Sequence, residues 1–210
     1  IYTGVEALIG EFLRRLRARV GATAAGRVQV HTKCVPDLDR LASLSKREVE
    51  AIVDRSRQRL GVEALDLVQL HWWDYRVPGW IEAAQALDDL RRAGKVRHVG
   101  LTNFDTLRVR AIVGAGVPVV SHQVQYSVLD RRPAHGMTAT CERLGIGLLA
   151  YGALAGGFLS ERWLGQPAPG EPLENRSLVK YRLIIEEFGG WASYQQLLRA
   201  LDAVARKHRT

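Results

Sequence analysis

The sequence alternates between segments with helical periodicity and short apolar runs of strand length, and the alternation repeats five times. No turn signal typical of a β-hairpin separates two successive runs. This alternation indicates a parallel sheet with helices packed outside it. The predicted strands are Val28–Lys33, a run within Leu65–Asp74 that ends on His71, Val96–Thr102, Pro118–Gln125 and Ile146–Tyr151.

Two architectures fit a parallel α/β pattern, an open doubly wound sheet and a closed TIM-type (β/α)8 barrel. Nucleotide-binding sheets of the open kind carry a glycine-rich fingerprint after a strand. Here no G-x-G-x-x-G follows a strand, and no G-x-x-x-x-G-K-[ST] occurs. The glycines at Gly152, Gly156 and Gly157 do follow a strand, but in neither spacing. We therefore favour the barrel.

Apolar residues recur at helical spacing between the strands. The first helix, Val5–Arg19, has a predicted buried stripe at Leu8, Phe12, Leu16 and Val20. Ser45 followed by Glu48 predicts a capping box at the start of the second helix, which Gly61 ends. We predict a long loop between Ala155 and Trp191. The remaining predicted helices are Ile81–Ala93, one from Asp105 to Gly114 or Gly116, Pro133–Leu144 and Ala192–Lys207.

The composition is that of a globular protein, with 47% hydrophobic residues and a formal net charge of +8. This charge favours an anionic partner: nucleic acid, a phosphorylated cofactor or an acidic surface. No Lys/Arg run is dense enough for a nucleic-acid tail, and no apolar run is long enough to span a membrane. Cys34 and Cys141 are too few for a disulfide framework or a metal knuckle. We expect a reducing compartment, the cytoplasm or an organelle.

A chemically useful residue stands at the end of each predicted strand, in the order Lys33, His71, Asn103, Gln123 and Tyr151. In barrels of this type the catalytic residues lie at the carboxyl ends of the strands. Each residue also has a purely structural explanation. Lys33 could be an exposed lysine, His71 a core histidine and Asn103 a helix cap. Gln123 could donate a hydrogen bond to a loop carbonyl, and Tyr151 could be a half-buried aromatic. Five such residues in successive strands favour an active site over packing alone.

The motifs Tyr2-Thr3-Gly4, His31-Thr32-Lys33, Leu70-His71-Trp72, Gly100-Leu101-Thr102-Asn103-Phe104, Gln123-Val124-Gln125-Tyr126 and Ala150-Tyr151-Gly152 follow one another in this order. In this order and spacing, the sequence resembles the aldo-keto reductases from residue 2 to the last helix. The resemblance implies an eight-stranded α/β barrel that reduces aldehydes and ketones with NADPH.

The resemblance also implies a role for each matching residue. Tyr2 is the general acid, Lys33 lowers its pKa, and His71 orients the carbonyl. Trp72 and Trp73 wall the substrate pocket. The cofactor is held at the nicotinamide carboxamide, the nicotinamide ring and the pyrophosphate, respectively by Asn103 and Gln123, by Tyr151, and by the loop of Gly152, Leu154 and Gly156.

The sequence departs from the family at both ends. The aspartate that the family places five residues before the tyrosine would precede Ile1, and the first two strands and the eighth strand are absent. Lys33 would therefore lack its carboxylate partner within this sequence. We expect residues 1–210 to be a single barrel domain, truncated at both ends, with about five of its eight strands.

Three functions stay open from the sequence. The first is an NADPH-dependent carbonyl reductase that acts on a small-molecule substrate, with neither nucleic acid nor membrane as a partner and with the oligomeric state open. The second is a regulatory barrel that binds the cofactor with little turnover. The third is a phosphate-binding lyase or isomerase with Lys33 as a Schiff-base lysine, although the glycines of its anion site only half match.

Overall fold

A computed structural model describes residues 4–209. These residues belong to two compact units, each with its own hydrophobic core. The first unit comprises Ile1–Val124 and Met137–Leu149, and the second comprises Gln125–Gly136 and Ala150–Thr210. The expectation of a single truncated domain stays a prediction. Within residues 4–209, no helix combines the length and the apolarity that a membrane crossing requires.

A five-stranded sheet runs in the order β1-β2-β3-β4-β5, and its strands are parallel as predicted. The first strand begins later than expected, because the Val30 amide donates to the side chain of Asp66 in the neighbouring strand (2.9 Å) and not to its backbone. The strands are β1 His31–Cys34, β2 Leu65–His71, β3 Val96–Thr102, β4 Val119–Gln125 and β5 Gly147–Tyr151.

Seven α-helices are described, and all six predicted helices are among them. The fifth helix begins later than predicted because Pro133 lies in a separate 3-10 segment, Arg132–Ala134, and Gly136 has a positive φ. The helices are α1 Val5–Ala25, α2 Lys46–Leu60, α3 Trp80–Arg92, α4 Thr106–Gly114, α5 Met137–Leu144, α6 Arg176–Phe188 and α7 Gly190–His208.

The start of α2 has the capping box that the sequence predicts. The Ser45 side chain accepts from the Glu48 amide, and the Glu48 carboxylate accepts from the Ser45 amide at 2.8 Å. Asp105 caps α4 through the Arg108 amide at 2.9 Å. Two orphan amides at the start of α2 are thereby satisfied within the helix itself.

One face of the sheet packs against helices and forms the main core. Side chains from β2 and β3 alternate onto this face because successive strand residues point to opposite sides. The helices α2, α3 and α4 cover it with small and branched apolar residues. The members of this core include Val68, Leu70, Val99, Leu101, Val53, Ala84, Leu87 and Ile112.

The predicted buried stripe of α1 is wrong. Leu8 is 70% exposed and Phe12 is 52% exposed, whereas Gly10 and Leu13 are buried. An ideal Cβ on Gly10 would lie 2.4 Å from the carbonyl oxygen of Arg59 in α2. The helix therefore turns its glycine toward α2, because only this side permits the close approach, and the apolar stripe faces away.

The predicted loop from Ala155 to Trp191 contains an unpredicted helix, α6. Its N-cap is Asn175, whose side chain accepts from the Leu178 amide at 3.1 Å. With α7 and two 3-10 turns, α6 encloses the core of the second unit. Aromatic rings dominate that core, and its buried members include Phe158, Tyr181, Ile185, Tyr194 and Leu198.

Candidate active site

The predicted site residues of the first unit lie at the carboxyl edge of the sheet. His71 pairs in register with Thr102, which in turn pairs with Gln123. Lys33 is level with Gln69, one row of same-facing residues further back. The strand register thus brings His71 of β2 and Gln123 of β4 to one level at the carboxyl edge of the sheet, with Lys33 of β1 one row behind them.

Lys33 and His71 influence each other electrostatically. Burial lowers the pKa of His71, and the nearby Lys33 ammonium lowers it further. Burial also lowers the pKa of Lys33. No carboxylate among residues 4–209 forms an ion pair with Lys33. This arrangement favours a neutral His71 imidazole beside the Lys33 ammonium. The neutral imidazole can still donate one N–H, and it does so next to a positive charge.

The first turn of α1 is attached to the end of β1. Thr32 donates a hydrogen bond from its hydroxyl to the Glu6 carboxylate at 2.6 Å. Gly4 and Lys33 line the same cleft, whose volume is about 440 Å³. Tyr2 lies outside the described residues, two positions before Gly4 in the chain.

The two tryptophans after β2 have different environments. The Trp73 ring packs edge-on against His71 with 4.5 Å between centroids, is 51% exposed, and donates its indole N–H to the Pro36 carbonyl at 2.8 Å. Trp72 is buried in the helix-facing core and donates to the Val77 carbonyl at 3.0 Å. The structure therefore brings Trp73 to His71 but not Trp72, whose assignment to the pocket wall lacks geometric support.

Asn103 lies in the turn after β3 and adopts a left-handed conformation with φ of 63°. The backbone N–H of Asn103 donates to the backbone carbonyl of Gln123 at 2.9 Å, and the backbone carbonyl of Asn103 accepts from the Tyr75 hydroxyl at 2.9 Å. The turn is therefore fixed from both sides. Asp105, and not Asn103, caps the following helix, so the capping explanation for Asn103 does not apply.

In the second unit, the glycine turn after β5 packs against Tyr181 of α6. Gly152 and Gly156 both have positive φ, 72° and 64°. An ideal Cβ on Gly152 would lie 2.6 Å from the Tyr181 hydroxyl oxygen, and one on Gly156 would lie 2.7 Å from the Tyr181 ring. Leu154, between them, is 67% exposed. Both glycines are therefore required by an aromatic contact within the protein.

Lys180 of α6 is a residue that the sequence interpretation missed. Its ammonium lies 4.7 Å from the centroid of the Tyr151 ring and 4.4 Å from that of Tyr181. Burial lowers the pKa of Lys180. Helical spacing of Leu178, Tyr181, Ile184 and Ile185 after a capping asparagine was the signal that could have located this helix and its lysine.

A family model described as "Aldo/keto reductase family" matches residues 1–210, so the chain belongs to this family of oxidoreductases. It is 32% identical over 244 aligned positions to "Flagellar radial spoke protein 5" of Chlamydomonas reinhardtii, covering 99% of this chain and 45% of that protein. It is 27% identical to the "NADH-specific methylglyoxal reductase" of Escherichia coli, covering 81% and 55%. The chain spans about half the length of these curated relatives.

Solved structures are similar as well. The crystal structure of an aldo/keto reductase from Klebsiella pneumoniae in complex with NADP and acetate superposes with a TM-score of 0.59 and 25% identity, covering 77% of this chain and 53% of that one. The family's structures are (β/α)8 barrels, and the parallel sheet with flanking helices corresponds to part of one. The predicted family and fold class are confirmed.

Proposed function

We propose that the protein containing this chain reduces aldehydes or ketones to alcohols by hydride transfer from NADPH. The observation that carries this proposal is the placement of Lys33 and His71 near the carboxyl ends of the neighbouring strands β1 and β2, close enough for the ammonium to lower the imidazole pKa. A cleft shared by Lys33 and the start of α1 supports it. A cation and a neutral donor at one edge suit a reaction that builds negative charge on a carbonyl oxygen.

In this proposal Tyr2 gives its phenolic proton to the carbonyl oxygen as hydride reaches the carbonyl carbon, and the product is an alcohol. A free tyrosine has a pKa near 10, which is a poor match to neutral pH. The Lys33 ammonium favours the phenolate and lowers that pKa. His71, neutral because its pKa is lowered, donates an N–H to the carbonyl oxygen and orients it.

The residues of the second unit fit an aromatic ring that is joined to a phosphate. Tyr151 offers a ring, Lys180 a cation 4.7 Å from its centroid, and the glycine turn its backbone amides. When bound, the nicotinamide nucleotide supplies the hydride. We assign Tyr151 to the nicotinamide ring, Asn103 and Gln123 to its carboxamide, and Gly152, Leu154 and Gly156 to the pyrophosphate.

The choice of NADPH over NADH is part of the proposal. The NADP complex of the Klebsiella pneumoniae relative and the net charge of +8 support NADPH. The name of the Escherichia coli relative, which specifies NADH, makes NADH the alternative. Rates of the two cofactors at equal concentration would decide between them.

A second candidate function is a cofactor-binding barrel with little turnover. The relative named for a flagellar radial spoke favours it, since that name describes a structural assembly and not a reaction. Lys33 near His71 argues for turnover, because a protein that only binds the cofactor has no need of a cation and a hydrogen-bond donor that polarise a substrate carbonyl.

The decisive experiment follows NADPH oxidation by the complete purified protein with a panel of aromatic and aliphatic aldehydes and ketones. We expect turnover with the wild type, its loss in Tyr2→Phe with NADPH binding retained, and a lower turnover in His71→Ala. His135→Ala, which changes an exposed histidine of the second unit, serves as the matched control. NADPH binding without turnover across the panel would favour the second candidate, and absence of both would contradict the two together.

A further inference from the structure

A row of polar residues lies directly behind the candidate catalytic row. The register places Lys33 opposite Gln69, Gln69 opposite Gly100, and Gly100 opposite Ser121. These residues face the same side as His71, because side chains two positions apart on a strand share a face. The row therefore crosses four strands beneath the candidate site.

Gly100 provides the space in which its two neighbours converge. An ideal Cβ on Gly100 would lie 2.6 Å from the Ser121 hydroxyl oxygen and 3.2 Å from Cγ of Gln69. Gly100 does not have a positive φ, so its backbone conformation is one that any residue adopts. A glycine at this position thus serves the approach of Gln69 and Ser121, and not the path of the chain.

The polar ends of both neighbours are buried and unpaired within the described residues. Gln69 is 2% exposed and Ser121 is 7% exposed. Neither Nε2 of Gln69 nor Oγ of Ser121 has a hydrogen-bond partner among residues 4–209. A buried polar atom without a partner is costly, and a polar site with several such atoms is where an internal water binds.

We propose that Nε2 of Gln69 and Oγ of Ser121 share one water molecule, and that this water positions the Lys33 side chain of the same row. The water accepts from the Gln69 amide and from the Lys33 ammonium, and it donates to the Ser121 hydroxyl. Gln69 is thereby a positioning residue that acts through Lys33. The water site stands independently, whereas its effect on turnover rests on the proposed reductase function.

A stability cycle tests the water site without any assay of activity. If Gln69 and Ser121 share one water, Gln69→Leu and Ser121→Ala each lower the melting temperature, and the double variant loses no more than the larger single loss. If the atoms are simply unpaired, each substitution removes an unsatisfied group and leaves the melting temperature equal or higher, which would overturn the proposal. Gln85→Leu, at an exposed glutamine, is the matched control.

Kinetics of the complete protein test the positioning of Lys33. We expect Gln69→Leu to lower kcat about tenfold with the Kd for NADPH unchanged, because a misplaced catalytic group affects the chemical step. Each rate is divided by the concentration of protein that still binds NADPH, so that unfolded protein does not lower the measured kcat. An unchanged kcat would overturn the positioning role. A wild type without turnover would end the reductase proposal instead, and the stability cycle would still decide the water site.

Discussion

The two units hold their candidate site residues by different means. In the first unit, Lys33, His71 and Gln123 follow from the register of adjacent parallel strands, and hydrogen bonds between backbones fix their levels. In the second unit, Tyr151 and the glycine turn are held by the side chains of a helix about thirty residues further along, through ring contacts. Backbone hydrogen bonds between strands form with many different side chains at the paired positions, whereas a glycine in contact with an aromatic ring can be replaced by few residues. The two units should therefore respond differently to substitution.

The largest effect is expected at the glycine turn. Gly152→Ala should lower the free energy of unfolding by about 2–5 kcal/mol, because the new Cβ meets the Tyr181 hydroxyl and the backbone has a positive φ. Gly156→Ala should have a similar effect through the Tyr181 ring. Urea unfolding of both variants measures it.

The matched background for the glycine substitutions is Tyr181→Phe. Removal of the hydroxyl relieves the 2.6 Å contact at Gly152 and leaves the 2.8 Å contact there with Cε1 of the ring, whereas the Tyr181 contacts at Gly156 involve ring carbons only. Tyr181→Phe should therefore partly rescue Gly152→Ala and leave Gly156→Ala unchanged. Equal rescue of the two would show that Tyr181 does not pack as described.

In the first unit the largest expected effect is on rate, not on stability. Lys33→Met should lower kcat about a hundredfold or more, equivalent to about 2.7 kcal/mol, since the proposed reaction depends on this cation to lower the pKa of its proton donor. The same change should raise the pKa of His71, because the ammonium that lowers it is gone. Kinetics and histidine NMR titration measure the two effects. A His71 pKa that does not rise would contradict the proximity of the two residues.

A smaller effect is expected at the cap of α2. Ser45→Ala should destabilise the protein by about 1 kcal/mol, because the Glu48 amide loses its acceptor. Ser43→Ala, at an exposed serine two residues earlier with only a 3.4 Å bond, should be neutral. Hydrogen exchange at the first amides of α2 locates the loss. If Ser45→Ala and Ser43→Ala destabilised the protein equally, the loss could not be attributed to the helix cap.

The smallest effect concerns pH. Burial lowers the pKa of His71 and of His122 in the folded state, so below about pH 6.5 the unfolded chain takes up protons first. The free energy of unfolding should therefore fall as the pH decreases through this window, and should be insensitive to these histidines above it. Urea titrations on both sides of pH 6.5 measure the slope. His71→Gln should flatten it, and an unchanged slope would assign it to other groups.

Local periodicity was enough to predict the strands, and strand ends were enough to predict most of the candidate residues. Val96–Thr102 was predicted with its observed bounds, because a buried strand followed by a turn leaves a clear pattern. The environments of the side chains were not predictable in the same way. Trp72 and Trp73 are adjacent in the chain, but Trp72 lies in the core and Trp73 packs against His71, and this difference depends on which face of β2 meets the helices.

The missed features depend on contacts between distant residues. Tyr181 packs against Gly152 and Gly156, and Gln69 meets Ser121 only across β3. A sequence shows the period of one element but not the partner of its side chains. The rotation of α1 was mispredicted for the same reason, since the more apolar stripe is not the one that faces α2.

Gly10 illustrates how far a remote position can affect the candidate site. Its contact with the Arg59 carbonyl sets the spacing of α1 from α2, and α1 also carries Glu6, which bonds to Thr32 beside Lys33. A methyl group at Gly10 would push the helices apart and shift the start of α1 relative to β1. If Lys33 has its proposed role, such a variant would lose turnover in the same way as a substitution of Lys33, although Gly10 lies in the contact between α1 and α2.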